Sequence, residues 1–241
     1  MTIESRRLSI GGVAVEIVRK DIKNLHLGVY PPGGHVRVAA PLAVSDETVR
    51  LAIVDKLAWI RRQRERFRAQ PRQSRREMIA RETHYFQGRR YRLRVLERDA
   101  PPRVVIRGGA TLEMHVRPGA SVEQRWAVLA KWYREQLRAL VTPLLDKWQA
   151  ALKVEIAAWG IKRMRTKWGS CNSGAGRIWL NFELVKKPPR CLEYIVVHEL
   201  LHLRHRHHDS HFVAQMDQLL PAWRRAREEL NREPLADVQL R

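Results

Sequence analysis

The sequence predicts an α+β protein: a β-rich N-terminal half, residues 1–118, with one helix and an Arg-rich linker, then a helical domain, residues 119–241, with a small β-sheet. Three observations carry this. Short alternating apolar runs flank Gly/Pro turns in the first forty residues and again between 85 and 116, a hairpin signal. Ser121 with Gln124 forms a capping-box pattern that opens a long helix to about Leu152. A strongly apolar helix follows Pro188-Pro189 and carries His198-Glu199-Leu200-Leu201-His202.

Taken in order, IESRRLSI and VAVEIVRK flank Gly11-Gly12, and LHLGVY and HVRVAAP flank Pro31-Pro32-Gly33-Gly34. A helix starts after Ser45, a good N-cap, with Asp46 and Glu47 complementing the helix dipole. Val49, Ile53, Leu57 and Ile60 keep helical spacing. Beyond Trp59 the polar, Arg-rich RRQRERFRAQPRQSRRE reads as a frayed helix end and a linker. YFQGRRYRLRVLE and RVVIRGGATLEMHV are two further hairpin segments. Pro143 is expected to kink or split the long helix. Strands are expected in VEIAAWGIKRM, RTKWGSC and RIWLNFELVKK, and short helices from Ser210 and Pro221. No internal repeat is visible in the sequence.

A chain of 241 residues can bury a real core, and its 44% apolar and 29% charged residues make it globular rather than disordered. No apolar run is long enough to span a bilayer, and the N-terminus lacks a basic start followed by an apolar stretch. Two cysteines are too few for a disulfide framework. A cytoplasmic protein without membrane association is expected. The net charge of +21 favours polyanionic partners such as nucleic acid, although Arg-rich surfaces also arise without any such partner.

The chemistry is concentrated in the HExxH segment. Residues i and i+4 of a helix lie on one face, so His198 and His202 can share one metal ion, and neutral imidazole suits Zn²⁺. Glu199, beside the first ligand, is placed to take a proton from water activated by the metal. The alternative is an amphipathic helix whose histidines merely cap a core. Burying His198, Glu199 and His202 among Ile195, Val196, Val197, Leu200, Leu201 and Leu203 without partners would be costly, and a metal resolves that cost. A catalytic zinc takes a third protein ligand. His205 is poorly placed if the helix continues, and spacing admits His207, His208 and His211.

These residues resemble a known family. HELLHLRHRHHDSHF, preceded by RTKWGSC and RIWLNFELVKKP, is similar to the YgjP-like metallopeptidases, whose core is similar to that of SprT-type zinc proteases. The matching positions are Trp168-Gly169-Ser170-Cys171, Asn181, His198 to His202, His208 and Phe212, and the PPGG hairpin, VRVAAP strand and AWIRRQ helix end resemble the family's opening. The resemblance runs from about Lys20 to Arg232. It implies His208 as the third ligand. The family flanks that histidine with asparagine and serine, where this chain has His207 and Asp209. Asp209 is therefore a candidate for orienting His208 or a neighbouring imidazole.

Trp168, Gly169 and Ser170 have two readings: a packed edge strand, or a strand lining the substrate cleft and pairing with an extended peptide. Arg163 and Arg165 are candidates for holding an oxyanion, and more simply surface charge. Cys171 is not expected to be a nucleophile. Phe212 and the AWRRAREEL helix are expected to pack behind the metal helix, and the eight tryptophans to serve the core.

The expectation is a zinc metallopeptidase in which His198, His202 and His208 hold Zn²⁺ and Glu199 is the general base. One rival is a metal-dependent nucleotide phosphohydrolase on the same site, disfavoured by the lack of a P-loop. Another is a nucleic-acid-associated protease, with the Arg-rich segment Arg61 to Arg107 docking on DNA and a salt-dependent affinity.

Overall fold

The computed structural model describes residues 5–30, 33–69, 78–164 and 166–232. The Pro31-Pro32 step, the linker at 70–77 and Arg165 lie outside them. The chain is mixed α+β and falls into two compact units, divided between 73 and 74.

The first unit is a four-stranded sheet with two helices. Strands β1 (Ser5–Ile10), β2 (Val13–Lys20), β3 (His26–Tyr30) and β4 (His35–Pro41) lie in the order β1-β2-β4-β3. The central pair is parallel and the two outer pairs are antiparallel. The register sets Val15 beside Val36 and Ile17 beside Val38, so one face is apolar throughout and buried. Gly11 and Gly12, at φ 57° and 76°, form the tight turn that joins β1 to β2.

Ser45 caps helix α1 (Asp46–Asp55) by accepting from the Thr48 backbone N–H. The single helix expected here is instead broken at Lys56, whose N–H turns back to Ile53 and Val54 carbonyls. Helix α2 (Leu57–Ala69) then continues through the stretch expected to fray. It is tied down by Ile60, which is fully buried, by Phe67 packed against the core, and by Arg61 donating to the Gly11 carbonyl at 2.9 Å.

The second unit opens with the same topology. Strands β5 (Thr83–Phe86), β6 (Arg89–Glu97), β7 (Arg103–Arg107) and β8 (Thr111–Val116) run in the order β5-β6-β8-β7, again with a parallel central pair. A serine again caps the helix that follows. Ser121 and Gln124 exchange both hydrogen bonds of the capping box, opening helix α3 (Val122–Leu152). Pro143 lies inside α3 without splitting it. Leu129, Tyr133, Leu137, Val141, Leu145, Trp148 and Leu152 form a buried stripe at helical spacing. Because the β5–β8 sheet and α3 share one core with the C-terminal elements, the compact unit begins before that sheet and not at 118/119.

A three-stranded sheet follows: β9 (Ala158–Lys162), β10 (Gly169–Asn172) and β11 (Arg177–Asn181), in the order β10-β11-β9. The expected strand over RIWLNFELVKK stops at Asn181, whose side chain accepts from the Glu183 N–H and starts a 3₁₀ turn over Phe182–Lys186. Three helices complete the unit: α4 (Pro189–Leu201), α5 (Ser210–Leu219) and α6 (Trp223–Arg232). Among the described residues no helix is long and apolar enough to cross a membrane.

Candidate metal centre and substrate cleft

Pro189 opens α4 at a position where its missing N–H costs nothing. Leu192, Val196, Val197, Leu200 and Leu201 bury the helix against the core. That burial holds the remaining face, with His198, Glu199 and His202, toward a cleft of about 680 Å³. The helix ends at His202, and the backbone N–H groups of Leu203, Arg204 and His205 fold back onto Leu200 and Leu201 carbonyls. The tight turn brings the His205 carbonyl to 2.9 Å from His202 Nδ1. Nδ1–H then donates to that carbonyl, leaving the Nε2 lone pair free to face the cleft.

The chain returns through His208 into α5. Asp209 does not orient an imidazole; it is the N-cap of α5 and accepts from Phe212 N–H at 2.9 Å, which fixes the backbone beside His208. Its carboxyl is held below the usual range mainly by that backbone bond. His208 Nε2 lies 3.1 Å from His198 Nε2, and His202 Nε2 lies 3.3 Å from it. The three donor atoms fall within 4.8 Å of one another. The buried Phe212 ring backs all three imidazoles, with centroid distances of 5.1, 5.1 and 4.8 Å. His205, His207 and His211 do not join this group.

The donor set fits a zinc ion. Tetrahedral ligands at bonds of about 2.0–2.1 Å sit ~3.3 Å apart, close to the two separations observed. His198 is kept neutral, its pKa pushed down to about 3 by burial first and then by His202, His208 and Arg227. His208 is also lowered, chiefly by burial. His198 Nδ1 is buried without a hydrogen-bond partner, so its Nε2, which faces the other two imidazoles, is the nitrogen available to a cation.

Glu199 is 4% exposed and packs against Gly169 of β10. A Cβ at Gly169 would lie 2.7 Å from Glu199 Cδ, so only glycine lets the carboxylate occupy this position. Burial pushes the Glu199 carboxyl up to about 8, with Lys167 opposing. Trp168, Gly169 and Ser170 line the cleft wall, and among the described residues β10 is an edge strand, paired with β11 alone. Cys171 also lines the cleft, but burial, and then Glu199, push its thiol up to about 11, the opposite of nucleophile activation. Arg163 stands over the Trp126 and Phe182 rings and does not line the cleft.

Sequence reasoning missed Lys167, Tyr194, Arg206 and Arg227, all of which line the cleft. Tyr194 had a signal, since it stands one turn before His198; its ring is edge-on to His198 and stacked on Trp223. Arg227 had none, because only the packing of α6 behind α4 brings it to the imidazoles. Trp223, Ala226 and Leu230 bury that face of α6, as expected for the AWRRAREEL segment. The tryptophans are not uniformly core residues: Trp148 and Trp223 are buried, whereas Trp59 is 39% exposed.

The sequence matches the family described as YgjP-like, metallopeptidase domain, over residues 23–233. The chain therefore belongs to the YgjP-like metallopeptidase family, a class that implies a metal ion and a polypeptide substrate. Among solved structures it is similar to the metallopeptidase zymogen abylysin of Pyrococcus abyssi, at 24% identity and TM-score 0.34, covering 38% of this chain and 90% of that one. It is also similar to the zymogen jannalysin of Methanocaldococcus jannaschii, at 20% identity and TM-score 0.34, covering 37% and 86%. No curated protein matches the sequence.

Proposed function

We propose that the chain is a zinc-dependent peptidase in which His198, His202 and His208 hold the ion and Glu199 is the general base. The observation that carries this reading is the convergence of three imidazole Nε2 atoms within 4.8 Å, beside a buried carboxylate on one cleft. A zinc ion there would supply a Lewis acid that polarises the scissile carbonyl and acidifies a water.

The chain's own groups do the rest. Glu199, with its carboxyl raised toward neutrality, can accept the proton of the attacking water on a carboxylate oxygen and return it to the leaving amine. The His205 carbonyl holds the His202 tautomer. The open edge of β10 offers backbone groups to an extended substrate strand, with Trp168 and Ser170 beside it. Tyr194 and Arg227, which also line the cleft, can supply hydrogen-bond donors there.

Glu199→Gln is the direct test. It should lower cleavage of an unstructured polypeptide by about 10²–10⁴-fold, the usual contribution of a positioned acid–base group, with zinc content unchanged. Undiminished cleavage would rule out the role of Glu199. Chelator-sensitive release of pyrophosphate from nucleoside triphosphates, without polypeptide cleavage, would overturn the peptidase reading itself.

A further inference from the structure

The β5–β8 sheet has a second face that the peptidase site does not use. The pleat sends Arg90, Arg92 and Arg94 of β6 to that face, while Tyr91 and Leu93 go to the core. The register sets Tyr85 and Thr83 of β5 beside Arg90 and Arg92. On the other flank Thr111 and Glu113 of β8 adjoin Arg92 and Arg94, and Arg107 and Val105 of β7 pair with those two in turn. Arg103, paired with His115, completes the face. Five arginines thus share one sheet face with a single carboxylate, Glu113, which Arg94 contacts at 3.2 Å and Arg107 at 3.7 Å. Among the described residues Arg90, Arg92 and Arg103 make no ion pair, and all five guanidiniums belong to exposed residues. The positive field registers at His115, whose pKa is lowered by burial first and then by Arg103 and Arg98.

The β1–β4 sheet controls for a merely basic composition. It has the same topology, but its equivalent face carries two arginines, Arg7 and Arg37, with Lys20 and Glu16, and Glu16 lies 2.8 Å from His35 and 3.8 Å from Arg37. The arginine array is therefore confined to one of two like-built sheets.

We infer that the outer face of the β5–β8 sheet is a binding surface for single-stranded nucleic acid. Arginines at i and i+2 along β6 repeat every ~6.8 Å and form a row of cations that can track the backbone of one strand. Tyr85, 37% exposed on the same face, offers a ring on which a base can stack. An acidic protein would satisfy the arginines but would make no use of that ring in this way.

The test uses the full chain and fluorescein-labelled single-stranded oligonucleotides, one DNA and one RNA, read by anisotropy across a salt series. Binding should weaken as salt rises, and the triple variant Arg90→Gln, Arg92→Gln, Arg94→Gln should flatten the log–log salt slope by about 2, from three phosphate contacts at ~0.7 each. Tyr85→Ala should weaken binding by about tenfold. Arg7→Gln with Arg37→Gln should leave it unchanged. All of these are surface positions, and an unaltered melting midpoint confirms that each variant is folded. No binding by the unmodified chain, an unchanged slope in the triple variant, or equal loss in the first-sheet variant would overturn the inference. So would polyglutamate displacing the oligonucleotide at equal charge together with no effect of Tyr85→Ala, since that marks an acidic-protein surface instead.

Discussion

The first unit follows its sheet with a helix that breaks at Lys56, whereas the second follows a like-ordered sheet with a helix unbroken from Val122 to Leu152. The difference lies in what each helix must support. In the first unit Val49, Ile53 and Ile60 join the core of their own sheet. In the second, the stripe from Leu129 to Leu152 joins one core with both the sheet and the C-terminal elements, including α4. The same plan therefore supports its own sheet in one case and, in the other, also the helix that carries the proposed site.

The largest effects should separate the two cores. Leu137→Ala in α3 should cost about 2–5 kcal/mol and Ile53→Ala in α1 a similar amount, each lowering hydrogen-exchange protection in its own unit. Loss of protection in both units from either variant would show that the two cores unfold as one. Next in size, Gly169→Ala should lower turnover by about 10²-fold by displacing Glu199, with the fold retained. A Cβ at Gly12 in the first unit meets nothing within 4 Å, and Gly12→Ala should leave turnover unchanged.

The caps provide a finer comparison. Ser121→Ala and Ser45→Ala should each cost about 1 kcal/mol in thermal or denaturant unfolding, with Ser121 the costlier because Gln124 completes a reciprocal pair there. The smallest effect concerns acid. A hydrogen bond from His35 holds the Glu16 carboxyl below its usual range, so the stability it adds to the first sheet is present at neutral pH and fades as pH falls through the carboxylate range. Glu16→Gln should accordingly flatten the acid limb of that unit's unfolding profile and leave the second unit's unchanged.

Features set by neighbouring residues were legible in the sequence. The glycine turns, the serine caps, Pro189 and the i, i+4 imidazoles all act within a few positions. His208 was legible only through family resemblance, because spacing alone also admitted His207 and His211. The repeated sheet topology was hidden, since a parallel β2–β4 or β6–β8 pairing leaves no local trace and the outer faces of the two sheets share no residue pattern. Helix α2 was read as fraying because its apolar anchors, Ile60 and Phe67, are sparse among arginines, and the Arg61 bond to Gly11 spans 50 positions. Asp209 was misassigned because a carboxylate beside a histidine suits both an imidazole partner and a helix cap, and only the start of α5 decides between them.

The proposed site stands or falls on metal content. Purified wild-type protein should hold one zinc per chain, and the folded His208→Ala variant should lose it or hold it far more weakly in a chelator competition. Wild-type protein that binds no divalent ion after zinc loading, or a His208→Ala variant that retains wild-type affinity, would contradict the assignment of these three imidazoles.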